Sequence, residues 1–131
     1  MPTTITPFLM FEGAAEEAMR FYVSLFPHSA IGEVVRYGPG EPGPEGSIKL
    51  ADFTVAGQNL RAIDSPMKHG FTFTPSFSLF VGCASEAELD AVFARLSEGG
   101  KVLMPVGNYG FSRKFGWTSD RFGVSWQLNL A

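Results

Sequence analysis

The sequence predicts an α+β protein built from two tandem βαβββ modules, and two observations predict it. The order strand, helix, three strands runs twice within 131 residues. In addition, a single separation of 70 sets Leu9 on Leu79, Phe11 on Val81, Met19 on Leu89, Tyr22 on Val92 and Phe26 on Leu96. Apolar positions that coincide in one register are a sharper sign of duplication than shared composition. In the last strand of each module the separation drops to 66, which puts Gly57 on Gly123 and Arg61 on Gln127. A chain of this length is one domain, with module one at about residues 1–66 and module two at about 75–131.

Each element has its own reason. Ile5 to Phe11 alternates, with Ile5, Pro7, Leu9 and Phe11 on one face and Thr6, Phe8 and Met10 on the other, as a strand does. From Ala14 to Phe26 the apolar residues Ala15, Ala18, Met19, Tyr22, Leu25 and Phe26 recur at helical spacing, and Pro27 ends the run. Ala30 to Tyr37 reads as a strand. Gly38 to Gly46 (GPGEPGPEG) holds too much Gly and Pro for regular structure. Ser47 to Val55 and Asn59 to Ile63 flank the turn signal Ala56-Gly57-Gln58, so the two runs pair as a hairpin.

In the second module, Ser76 to Gly82 alternates Phe77, Leu79 and Val81 against Ser76, Ser78 and Phe80. Ser85-Glu86-Ala87-Glu88 is a capping-box pattern that opens a helix with a Leu89, Val92, Phe93, Leu96 stripe, and Gly99-Gly100 stops it. Lys101 to Met104, Arg113 to Thr118 and Val124 to Leu130 complete the module as strands.

Composition narrows the function. Hydrophobic residues make up 45% of the chain and charged residues 18%, a balance that supports a packed core and argues against disorder. Ten Lys and Arg stand against 13 Asp and Glu with no basic run, so nucleic acid is not an expected partner. A single Cys83, no cationic leader in MPTTITPFLM and no apolar window of about 18 residues predict a cytoplasmic protein off the membrane. Thirteen Phe, three Tyr and two Trp mean that a core or a pocket is lined with rings. There is no phosphate-binding glycine loop, nucleophile elbow or Cys/His cluster.

Three segments, ITPFLMFEGAAEEAMRFYVSLFP, LSEGGKVLMPVG and FGWTSDRFGVSWQLNL, resemble the PhnB-like branch of the vicinal oxygen chelate superfamily, which also contains glyoxalase I, extradiol dioxygenases and bleomycin-resistance proteins. The resemblance implies paired βαβββ modules that bend their strands into a cup-shaped mixed sheet, and a homodimer. Metal-dependent members place ligands, His or Glu, in the first and last strand of each module. Carried onto this chain those positions are Thr6, Arg61, Ser76 and Gln127. None is His or Glu, and Arg has no lone pair to give, so no metal and no other cofactor is expected. Members of the branch are also labelled as 3-demethylubiquinone-9 3-methyltransferase-like. Phe11-Glu12-Gly13-Ala14 does not supply the glycine-rich turn of a Rossmann-type methyltransferase.

The remaining candidates each admit two readings. His28 follows Pro27 and His69 precedes Gly70, settings that suit surface or capping roles. Cys83, near the start of the second helix, is either activated there or a half-buried inert thiol. Val124, Trp126, Leu128 and Leu130 alternate with Ser125, Gln127 and Asn129, so one face of the last strand is apolar and the other bonds a ligand or water. Tyr109 and Trp117, in the aromatic-rich segment NYGFSRKFGW, wall a pocket or pack a core. Arg61 and Asp64 are either a substrate clamp with a catalytic base or a surface ion pair and a turn aspartate.

Two functions follow. In one the chain binds a small organic molecule in a pocket faced by Thr6, Arg61, Ser76 and Gln127 and walled by Tyr109 and Trp117. In the other it is a metal-independent isomerase or lyase that uses Arg61 and Asp64. A third reading fills the cup with the protein's own Phe side chains.

Overall fold

The computed structural model describes all 131 residues. They form two compact units, Met1–His69 and Gly70–Ala131. The first holds β1 (Phe8–Phe11), α1 (Ala15–Val23), β2 (Ala30–Arg36), β3 (Ile48–Val55) and β4 (Gln58–Asp64). The second holds β5 (Ser78–Gly82), α2 (Glu86–Ser97), β6 (Lys101–Gly107), β7 (Lys114–Ser119) and β8 (Ser125–Leu130). Each unit is a four-stranded mixed sheet, in the orders β1-β4-β3-β2 and β5-β8-β7-β6. The first and last strands of each unit run parallel and the other neighbours antiparallel. The two tandem βαβββ modules are therefore copies of one topology.

The separation of 70 is corrected by the pairing. Leu9 pairs with Ala62 as Val81 pairs with Leu128, so the first strands match at 72 when the last strands match at 66. The buried helix positions Ala15, Ala18, Met19 and Tyr22 fall on Leu89, Val92, Phe93 and Leu96 at 74. The two helices meet their sheets through the same i, i+3, i+4, i+7 stripe, but α2 carries three extra residues ahead of it.

Several strand ends shift by one to three residues from expectation, among them β5, which begins at Ser78 and not Ser76, and β6, which runs on to Gly107. Two element ends have clear local reasons. β1 begins at Phe8 and not at Ile5, because Pro7 has no N–H to donate and takes part only through its carbonyl, which accepts the Arg61 N–H at 3.0 Å. α1 ends at Val23 and not at Phe26, because the Ser24 hydroxyl and N–H both turn back onto the Phe21 carbonyl, at 2.6 and 3.1 Å. Leu25 and Phe26 remain buried all the same.

Each helix covers one face of its sheet. Leu9, Phe11, Ala51, Phe53, Leu60 and Ala62 are buried on the α1 side, and Trp126, Leu128 and Leu130 on the α2 side. Gly116 lets α2 come close, since a Cβ there would lie 2.5 Å from the Phe93 ring. In α2, Ser85 Oγ accepts the Glu88 N–H at 3.1 Å, and Glu88 reaches back to the Ala84 N–H at 2.9 Å, closing the expected cap. No helix is long and apolar enough to cross a membrane.

Candidate functional site

Because alternate residues of a strand point to opposite faces, each sheet presents a second face turned away from its helix. In the first unit it carries Phe8, Asp52, Thr54 and Arg61. The turn at Ala56-Gly57 fixes this arrangement. Both residues have positive φ, 49° and 80°, as a tight two-residue hairpin requires. Val55 therefore opposes Gln58, and three steps back along the ladder Asp52 opposes Arg61. Arg61 Nε donates to Asp52 Oδ1 at 2.7 Å. A pocket of about 390 Å³ opens over this pair, with Thr6, Ala30, Gly32, Thr54 and Asn59 among its walls. Thr6 and Arg61, two of the expected binding residues, thus line one pocket.

Arg61 and Asp64 do not come together. An odd spacing on one strand sends them to opposite faces, and Arg61 takes Asp52 as its partner. Asp64 is 2% exposed. Its Oδ1 accepts the N–H groups of Gly13 and Ala15, each at 2.9 Å, and its Oδ2 accepts that of Ile48 at 3.0 Å. The catalytic pairing is corrected accordingly: Asp64 caps α1, whose own N-cap Ala14 offers no side-chain oxygen, and it anchors the start of β3.

In the second unit the uncovered face carries Ser78, Ser125, Gln127, Asn129, Phe115 and Trp117. A chain of hydrogen bonds crosses it. Trp117 Nε1 donates to Ser125 Oγ at 2.8 Å, Ser125 and Ser78 share a bond of 2.7 Å, and Gln127 Nε2 donates to Ser78 Oγ at 3.1 Å. Gln127 is therefore held by its amide nitrogen, and its Oε1 has no protein donor. Ser76 is not part of this set. It lies in the turn ahead of β5 and bonds Thr74, and the residue that meets Gln127 is Ser78.

Asn129 Oδ1, on the same face, is buried with no hydrogen-bond partner. Tyr109 stacks on Phe111 at 6.4 Å, and both rings meet Phe115 edge-on. The Tyr109 hydroxyl donates to the Pro105 carbonyl. Sequence reasoning missed Asp52, Ser78 and the unpartnered Asn129 oxygen.

The other reactive side chains are quiet. Burial, with the nearby Glu88 charge, pushes the Cys83 thiol up to about 11, which keeps it protonated at neutral pH. His69 Nε2 and Ser65 Oγ are 2.8 Å apart in the loop after β4, where Ser65 also bonds the Met67 backbone.

A divalent ion does not fit this donor set. The uncovered faces offer hydroxyls, amides, one guanidinium and one carboxylate already engaged by it, and no three His, Cys, Asp or Glu side chains converge anywhere in the chain.

Comparison with known proteins agrees with the topology. The FosX structure from Listeria monocytogenes aligns over 100% of this chain and 94% of its own with a TM-score of 0.68 at 11% identity, which shows a shared fold. These paired modules match the glyoxalase/bleomycin-resistance-like fold. Within it, residues 3–129 match the model of the family described as 3-demethylubiquinone-9 3-methyltransferase, and the chain belongs to that family. The PhnB protein from Bacillus cereus is 55% identical, with a TM-score of 0.96 over 98% of this chain and 100% of its own. Protein PA1353 from Pseudomonas aeruginosa is 29% identical, with a TM-score of 0.82 over 98% of each chain.

Proposed function

We propose that the chain is a metal-independent small-molecule-binding protein in which an uncovered sheet face of one unit holds an organic ligand by hydrogen bonds and ring contacts. One observation carries this reading. Polar groups with unused hydrogen-bonding capacity stand beside rings on each face, the outer atoms of the Arg61–Asp52 pair with Phe8 in the first unit and Gln127 Oε1 with Trp117 in the second. Such a mixture of a few placed polar groups among apolar walls is what small-ligand sites use. FosX, named as a fosfomycin resistance protein, shares the fold and gives a precedent for a small molecule as the target.

The methyl transfer in the family's name finds little support in these residues. A Rossmann-type site aims the free N–H groups of the first helix at its nucleotide ligand, whereas here the Asp64 carboxylate occupies those of Gly13 and Ala15. The reading extends to a homodimer, for which the exposed rings of Phe71, Phe77, Phe80 and Phe111 offer apolar surface, and to the cytoplasm, where an unpaired Cys83 remains reduced.

A thermal-shift screen with metabolites and antibiotics tests the binding, since a ligand of the native state raises Tm by mass action. A hit whose shift is lost in Arg61→Ala or Gln127→Leu supports it. A silent library, with Trp117 fluorescence unchanged throughout, overturns it.

A further inference from the structure

The pocket over β3 and β4 contains two charges, and they neutralise each other. Its remaining walls, including Thr6, Thr54 and Asn59, are uncharged. Within the pair only one bond is made, from Arg61 Nε to Asp52 Oδ1. The guanidinium carries five N–H donors, so both of its Nη groups are left without a protein acceptor, and Asp52 Oδ2 is left without a donor. The side chains of Thr6 and Asn59 make no hydrogen bond either. The Arg61 and Asp52 side chains are 49% and 47% exposed, so these unused atoms are open to a ligand.

Resting on the binding function above, we propose that this pocket takes a zwitterion of α-amino-acid type, its carboxylate on the Arg61 Nη groups and its ammonium on Asp52 Oδ2. A simple anion gains the guanidinium but meets the Asp52 charge at close range, and a simple cation meets the converse. A zwitterion satisfies both ends and leaves the neutral site neutral. Thr6 and Asn59 then supply uncharged hydrogen bonds to whatever side chain the ligand carries. The hairpin turn makes this possible, because it holds Asp52 and Arg61 directly opposite each other before any ligand arrives.

The test is a titration of the full-length, ¹⁵N-labelled chain with the common L-amino acids, and with acetate, methylammonium and inorganic phosphate as probes of single charge sign. The expected result is that at least one amino acid moves the Asp52, Asn59 and Arg61 amide resonances, with an affinity roughly tenfold or more above acetate or methylammonium. Asp52→Asn and Arg61→Gln should each erase that preference while leaving Tm within about 1–2 °C, as expected of an exposed pair. Equal affinity for acetate or phosphate, or no amino acid moving these resonances, overturns the proposal. If library ligands still perturb Trp117 in that case, the binding function stands and only the zwitterion assignment falls.

Discussion

Asp64 Oδ1 accepts the Ala15 N–H at 2.9 Å from 49 positions along the chain, and so caps a helix whose own N-cap residue cannot. The carboxylate replaces a local Ser or Asp with a remote one, tying the last strand of the module to its first helix. Its position at a strand end beside an arginine made it look like a base, whereas its burial and three backbone donors make it structural.

Replacing Asp64 with Ala leaves three backbone N–H groups without their acceptor and should cost about 3 kcal/mol or more. Asp64→Asn should also destabilise the protein, because its amide nitrogen would face a donor at either the α1 or the β3 end. Urea unfolding measures both variants. A midpoint unchanged from the wild type would contradict the capping role.

Cys83 should resist alkylation at pH 7–8 and become reactive only as the pH approaches 11, since burial holds its proton. The linkage has a definite sign. The folded thiol keeps its proton to about 11 while an unfolded one loses it near 9.0, so this group's stabilising contribution is complete below pH 9 and lost between 9 and 11. Iodoacetamide labelling followed by mass spectrometry across pH 7–11 gives the profile, and rapid labelling at pH 8 would count against it.

Glu16 is held down to about 2 by its hydrogen bonds to Arg36 and then to Arg20. Its folded value lies below the unfolded 4.5, so the stability that it adds is present above pH 4.5 and lost as the pH falls toward 2. The side chain is 36% exposed, so solvent and salt weaken the effect. Glu16→Gln should therefore flatten the acid limb of the Tm-against-pH curve at low salt and change little in 1 M NaCl. An unaltered acid limb at low salt would refute this.

Ser125→Ala removes the acceptor of the Trp117 indole and the partner of Ser78. The expected loss is about 1 kcal/mol, with an unchanged urea m-value. A shift in Trp117 emission, resolved against the buried Trp126 by a Trp117→Phe control, should accompany it. Emission identical to the wild type would mean that the indole bond is not formed in solution.

Dialysis of the purified chain against zinc or nickel, followed by elemental analysis, should leave well under about 0.1 equivalent, since too few imidazole or carboxylate donors converge. Stoichiometric retention would restore a metal centre to the uncovered faces.

Much of this architecture was legible because it rests on short-range patterns. Helical stripes, the Ser85 cap and a turn near Ala56-Gly57 are written in adjacent residues, although the turn is two residues long and not the three, Ala56-Gly57-Gln58, that the sequence suggests. The contents of the site depend on pairings across strands, which the notation of a single strand hides. Counting outward from a two-residue turn would have set Asp52 against Arg61 and away from Asp64. Strand parity does not separate Ser76 from Ser78, since both lie on one face of an alternating run, and only the start of β5 at Ser78 does. The burial of Asp64 was not legible at all, because it depends on the helix that closes over it.

The pairing of β1 with β4, and of β5 with β8, places the opening strand of each module beside its closing one. During synthesis Phe8–Phe11 consequently emerges from the ribosome with no neighbour to bond until Gln58–Asp64 follows, some fifty residues later. Neither module can assemble its sheet piecemeal from the amino end, and a nascent chain stalled before Asp64 would hold an uncapped helix and an orphan strand at once.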